Sequence, residues 1–195
     1  MTIEAKLLPR MSIAVANDIK KQLLAILQKK SVILGPVRLA SGKTSSFYVD
    51  GKMTSLDRDG VVLAAKIFFA HLGDAQAVGG PTLGADPFLG AILYEAHLQN
   101  KPLKAFLVRK DVKAHGTMKM IEGPLAKGDK AALIEDVITT GGSVLKAAEA
   151  VRQAGCEVTK ILCLLDRNEG AREAFAAAGI PYFSIFTKED LILPA

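Results

Sequence analysis

The chain has 195 residues, 50% of them hydrophobic and 23% charged, with a net charge of +5 and no Trp. That length suits one compact domain with a sizeable core, its apolar runs, Gly60–Phe69 among them, are too short to span a bilayer, and nothing at the N-terminus resembles a secretory signal. The mild positive charge fits an anionic small molecule or nucleic acid equally well, but aromatic residues are too sparse for a base-stacking platform, so neither nucleic acid nor membrane is an expected partner.

Apolar residues recur at helical spacing over Ile13–Lys29, with Lys20, Lys21, Lys29 and Lys30 on the wet side. Two extended stretches follow, Val32–Leu39 and Ser46–Val49, separated by the turn-rich Ser41–Ser45. Asp57 is placed to cap a helix that runs through His71 and stops at Gly73. From there strands and helices alternate: strand Ala75–Val78, helix Asp86–Gln99, strands Ala105–Val108 and Lys130–Val137, helix Ser143–Ala154, strand Glu157–Leu165, helix Gly170–Ala178 and strand Tyr182–Phe186.

Strands that are apolar throughout, such as Ile161–Leu165, belong to a parallel sheet covered on both faces. The predicted fold class is therefore α/β, a central, mostly parallel sheet flanked by helices. The first elements do not fit the alternation and are assigned to a small N-terminal hood over about residues 1–55, with the core over about 56–195. Cys156 and Cys163 fall on or beside a buried strand and read as packed, reduced thiols of a cytoplasmic protein. With three histidines and no Cys/His cluster, a structural zinc site is not expected.

The most informative stretch is Glu135-Asp136-Val137-Ile138-Thr139-Thr140-Gly141-Gly142-Ser143, placed between an apolar strand and a helix. Two carboxylates at a strand end can accept hydrogen bonds from neighbouring ribose hydroxyls. Thr139, Thr140 and Ser143 offer hydroxyls, and Gly141 and Gly142 let backbone N–H groups approach an anion closely. The positive end of the following helix adds a place for a phosphate monoester. Acids and an anion nest side by side suit a sugar phosphate better than the phosphates of ATP. Neither a Gly-Lys-Ser/Thr phosphate loop nor a Gly-x-Gly-x-x-Gly fingerprint is present.

A second stretch, Arg109-Lys110-Asp111-Val112-Lys113-Ala114-His115-Gly116, continues to Gly123 without helical or strand period and reads as a mobile basic loop. The acidic turn resembles the phosphoribosyl pyrophosphate (PRPP) signature of type I phosphoribosyltransferases, and the basic stretch is similar to the catalytic loop of orotate phosphoribosyltransferases. Ser41–Tyr48 is similar to that family's base-contacting segment, Gly79–Pro87 to the loop that meets the pyrophosphate, and Leu165-Asp166-Arg167 to the strand end whose Arg holds the orotate carboxylate. Where some members carry a Lys before the Ser-Gly pair this chain has Ala40, and where others carry Tyr-Lys it has Leu83-Gly84. Lys43 and Lys52 are candidates to supply the missing cation.

The resemblance implies a type I phosphoribosyltransferase fold and an enzyme of pyrimidine synthesis that joins orotate to PRPP, giving orotidine 5′-phosphate and pyrophosphate. It implies catalytic roles for Lys113, Glu135 and Asp136. PRPP would be bound by Arg109, Lys110, Lys113, His115 and the Glu135–Ser143 run, and orotate by Tyr48, Thr139 and Arg167. It further implies Mg²⁺ held by substrate and water without direct protein ligands, and a homodimer that shares its catalytic loops. The alternatives are a phosphoribosyltransferase for another base and a non-catalytic PRPP-sensing regulator. Arg167 argues against a purine, and the short N-terminal region against an added DNA-binding domain.

Overall fold

The computed structural model of the chain describes residues 13–38, 44–110 and 120–192. Helix α1 (Ile13–Lys30) buries Ile19, Leu23 and Leu27, whose spacing stacks them on one face. It leads into an antiparallel two-stranded sheet of β1 (Val32–Arg38) and β2 (Thr44–Val49), with Ile33 opposite Tyr48. At the junction the buried hydroxyls of Ser31 and Thr54 share a 2.7 Å hydrogen bond, and Thr54 belongs to a one-turn helix, α2 (Lys52–Ser55). Asp57 caps α3 (Arg58–His71) by accepting from the N–H groups of Asp59 and Gly60, as its position in the sequence predicts.

The main sheet has six strands: β3 (Ala77–Pro81), β4 (Lys104–Val108), β5 (Ile121–Glu122), β6 (Lys130–Ile138), β7 (Glu157–Asp166) and β8 (Tyr182–Thr187). Their spatial order is β5-β4-β3-β6-β7-β8, all parallel except β5, which runs antiparallel to β4. The remaining helices are α4 (Asp86–Leu98), α5 (Gly142–Gln153), α6 (Ala171–Ala177) and α7 (Lys188–Ile192). Side chains alternate across the sheet. Ala132, Ile134, Leu162 and Leu164 pack with Phe68, Phe88 and Ile92 on the face covered by α1, α3 and α4. Ala131, Leu133, Ile161 and Cys163 pack with Val144, Val151 and Phe175 on the other. Both cysteines are free and buried. No helix among the described residues is long and apolar enough to cross a membrane.

Two details of the sheet position the site. Connections leave β3 toward β4 on one side, and the chain later returns to place β6 on the other, so a crevice opens beyond the carboxyl ends of β3 and β6. Along β6 and β7 the register slips between Ala131 and Ala132, where the partner steps from Val158 to Lys160. The extra residue, Thr159, donates its hydroxyl to the Ala131 carbonyl at 3.2 Å.

Several boundaries differ from those the sequence predicts. The third strand is Ala77–Pro81, not Ala75–Val78, so the first part of the expected Gly79–Pro87 loop is buried strand. A Cβ on Gly79 would stand 2.5 Å from the Phe106 carbonyl, and one on Gly80 2.1 Å from the Ile134 carbonyl. These glycines let the backbone fit between its neighbours rather than mark a turn. The expected loop that ends at Gly123 contains β5, whose two residues pair with β4. α2 and α7 are too short to announce themselves by periodicity. Leu39 and Ser41–Lys43 lie outside the described residues.

Candidate active site

The crevice beyond β3 and β6 holds a cavity of about 650 Å³, within the size range of small-molecule sites. Glu135 and Asp136 reach it from β6, Pro81–Gly84 from the end of β3 and the turn after it, Val108–Lys110 from the end of β4, Ser143 and Lys146 from α5, and Lys52 from α2.

The acidic pair is almost entirely withdrawn from water, at 6% exposure for each residue. β6 does not end at the acids but continues through Val137 and Ile138. The Val137 N–H donates to Asp136 Oδ1 at 2.8 Å, and the Asp136 N–H to Glu135 Oε1 at 3.3 Å. Burial, and next the charge of Asp136, push the Glu135 carboxyl up to about 8. Lys52 Nζ lies 3.6 Å from Asp136 Oδ2 and 3.7 Å from Asp50 Oδ1. Burial alone would pull its ammonium down, but Asp136 and then Asp50 outweigh that and hold it above its ordinary range. The turn before it packs as closely: a Cβ on Gly51 would meet Val137 Cγ2 at 2.8 Å and Asp136 Oδ2 at 2.9 Å.

After β6, Thr139 is half-buried and Thr140 exposed, and the chain turns at Gly141 with φ +80°. Besides that left-handed backbone, a side chain at Gly141 would strike the Phe175 ring at 2.6 Å. Gly141 is the N-cap of α5 and no side chain caps the helix, so its first N–H groups face the crevice side without a protein cap.

On the β4 side, the Arg109 N–H donates to the Met120 carbonyl at 2.9 Å, and Arg109 Nη1 reaches Glu122 Oε1 at 3.2 Å. Arg167 follows β7 directly. Its N–H donates to the Ile138 carbonyl at 2.9 Å, which sets it beside the start of the Thr139 turn. Its side chain is largely buried and pairs with Glu169 at 2.9 Å through Nη2, while Nε is buried without a hydrogen-bond partner. Asp166 accepts from the Asn168 N–H at 2.8 Å.

Of the residues singled out in the sequence, Arg109, Lys110, Glu135, Asp136, Val137 and Ser143 line the one cavity. Ile138, Thr139, Thr140, Gly141 and Gly142, which run from the end of β6 into α5, are not among its lining residues, and neither are Tyr48 and Arg167. Lys113 and His115 lie outside the described residues, as does Ala40. Lys146 was not anticipated. It follows Gly142 by one helical turn, so the turn-to-helix junction contained the signal. Lys52 was anticipated for its charge but not for its contact with Asp136.

Buried acids near the end of β6, an uncapped glycine turn and a switch-point crevice lined by cations form a site of the kind that suits a phosphorylated sugar. The phosphoribosyl transferase domain model matches residues 57–177. An orotate phosphoribosyltransferase of Rhodopseudomonas palustris (strain BisB5) is 43% identical over 180 residues, 89% of this chain and 96% of the relative. Among solved structures, Mycobacterium tuberculosis H37Rv orotate phosphoribosyltransferase in complex with Fe(III) dicitrate superposes with a TM-score of 0.80 at 37% identity, covering 90% of this chain and 99% of that one. The same enzyme in complex with PRPP gives 0.76 at 34% identity over the same shares. The chain belongs to the orotate phosphoribosyltransferase family.

Proposed function

We propose that this chain transfers the phosphoribosyl group of PRPP to orotate, releasing pyrophosphate and forming orotidine 5′-phosphate for pyrimidine synthesis. The observation that carries this reading is the withdrawn Glu135–Asp136 pair directly before the uncapped Gly141 turn of α5. Carboxylates accept from the two ribose hydroxyls, and the turn and helix end receive the 5-phosphate. Thr139 and Arg167 stand together at the ends of β6 and β7 on the acceptor side, with Arg167 matched to the orotate carboxylate and Tyr48 to the base.

In the transition state the ribose ring gains positive charge and the departing pyrophosphate negative charge, so placed charges dominate the chemistry. Glu135 and Asp136 hold the ribose against displacement and face its developing charge. Arg109 and Lys110, with Lys113 and His115 in the same reading, receive the charge on the leaving group. Among the described residues no cluster of three or more His, Cys, Asp or Glu side chains is placed to hold a metal. In the same reading, Mg²⁺ would be carried mainly by substrate oxygens and water beside the Glu135–Asp136 pair. When bound, such an ion neutralises pyrophosphate charge. A hood over about residues 1–55, a homodimer that shares its catalytic loops, and a cytoplasmic setting belong to the same proposal.

The test is a spectrophotometric assay of orotate consumption with PRPP and Mg²⁺. Turnover of orotate, with none of adenine, guanine or uracil, is expected. Turnover of a purine but not of orotate would overturn the acceptor, and binding of PRPP without any turnover would favour the regulator.

A further inference from the structure

The family resemblance gives Lys52 no contact of its own and leaves it one of two candidates for a missing cation, yet it lines the cavity. It stands between two carboxylates, 3.6 Å from Asp136 and 3.7 Å from Asp50. Among the described residues its ion pair to Asp136 is the one salt bridge made by the buried acidic pair. The rest of the Asp136 carboxylate is engaged by the Val137 N–H on Oδ1. Its side chain is 47% exposed, so the ammonium reaches the cavity while its stem rests on the protein. Gly51 has no room for a side chain against Val137 and Asp136, which fixes the turn that delivers Lys52 to this spot.

We propose that Lys52 binds the pyrophosphate of PRPP, with Asp136 as its resting partner in the free enzyme. The inference rests on the phosphoribosyl reading of the same site. In PRPP the 1-pyrophosphate is on the carbon next to the one bearing the 2-hydroxyl, and on the same ring face as both hydroxyls. A cation beside the carboxylate that accepts those hydroxyls is therefore beside the pyrophosphate. When the ribose hydroxyls donate to Asp136 they take over the acceptor that Lys52 occupies, and the ammonium turns to the phosphate oxygens. The leaving group thereby has a cation from α2 in a cavity that Arg109 and Lys110 line from the end of β4.

The alternative role is a fixed pin that ties α2 to β6 and never meets substrate. Binding of PRPP and of ribose 5-phosphate, each titrated calorimetrically in Mg²⁺ buffer, separates the two, because only PRPP carries pyrophosphate. Lys52→Met is expected to weaken PRPP by about tenfold or more while ribose 5-phosphate changes by less than about twofold, and Lys52→Arg to recover most of the PRPP affinity. Equal weakening of both ligands, or unchanged PRPP affinity, would overturn the proposal. Should Lys52→Met not fold, as judged by circular dichroism, Lys52→Gln is measured against the same criteria. Orotate turnover by the unaltered enzyme tests the underlying reading separately. Its absence would remove the acceptor and leave the Lys52 result standing.

Discussion

Gly84 and Glu135 approach so closely that a Cβ built on the glycine would stand 1.5 Å from Glu135 Oε1 and 2.7 Å from Asp136 Oδ1. The turn after β3 thus lies directly on the acidic pair, and any larger substituent requires the Glu135 carboxylate to move. The backbone of that turn packs against the carboxylate itself.

Gly84→Ala should displace the Glu135 carboxylate by an ångström or more and lower kcat/KM by about a hundredfold, the usual cost of misplacing a reacting group by that distance. The strand and helix content should be kept, since the clash is with a side chain at the cavity wall. Steady-state kinetics beside far-ultraviolet circular dichroism make the check, and turnover within about threefold of the unaltered enzyme would contradict the close approach.

The raised Glu135 carboxyl makes the stability of the free enzyme depend on pH. The group titrates near its ordinary 4.5 when unfolded and near 8 when folded, so between those values the folded state binds the extra proton. The stabilisation is complete below the unfolded value and is lost as pH rises through the folded one, by at most about 1.4 kcal/mol per pH unit. Melting temperatures taken across that window should fall with rising pH and flatten in Glu135→Gln. Parallel slopes for the two proteins would show that Glu135 is not the group responsible.

Arg167→Ala should raise the KM for orotate by about thirtyfold to 160-fold, the value of a charge-assisted hydrogen bond of roughly 2–3 kcal/mol. The KM for PRPP should move far less. Glu169, which pairs with Arg167 in the free enzyme, holds the guanidinium in place without consuming all its donors, since Nε has no partner. Equal changes in both Michaelis constants would sink the assignment.

Lys113→Ala should raise the barrier by on the order of 3 kcal/mol, as loss of a placed charge facing a developing anion does elsewhere. Orotidine 5′-phosphate, which carries no pyrophosphate, should still bind with nearly unchanged affinity. The measurement pairs single-turnover rates with product titration, and loss of product binding in parallel with rate would point to a structural role.

The sequence announced the features that are local. Parallel strands buried on both faces are apolar runs, and the β6–turn–α5 unit is contiguous, so the fold class and half the cavity could be read in advance. Gly79 and Gly80 misled because their pattern matches a turn, whereas the cause is the pressure of Phe106 and Ile134 from neighbouring strands. β5 exists because β4 offers it partners, not because of any pattern in Ile121-Glu122. The Lys52–Asp136 pair joins α2 to β6, far apart in the chain. No spacing rule encodes such a contact, and the same holds for Gly84 beneath Glu135.

The irregularity at Thr159 has its effect at the opposite end of the sheet. Lys130 faces Glu157 where β6 and β7 begin, and Ile138 faces Asp166 where they finish. A ladder continued at the starting offset would set Leu165 against Ile138 instead. Arg167 would then emerge one strand residue farther out, about 3.3 Å, with its side chain on the opposite face. The bulge works as a phase shift, aligning the arginine with the Thr139 turn from a point remote from the cavity. Adding or removing one residue around Val158–Lys160 would carry Arg167 out of line with the Thr139 turn while every residue at the cavity stayed the same.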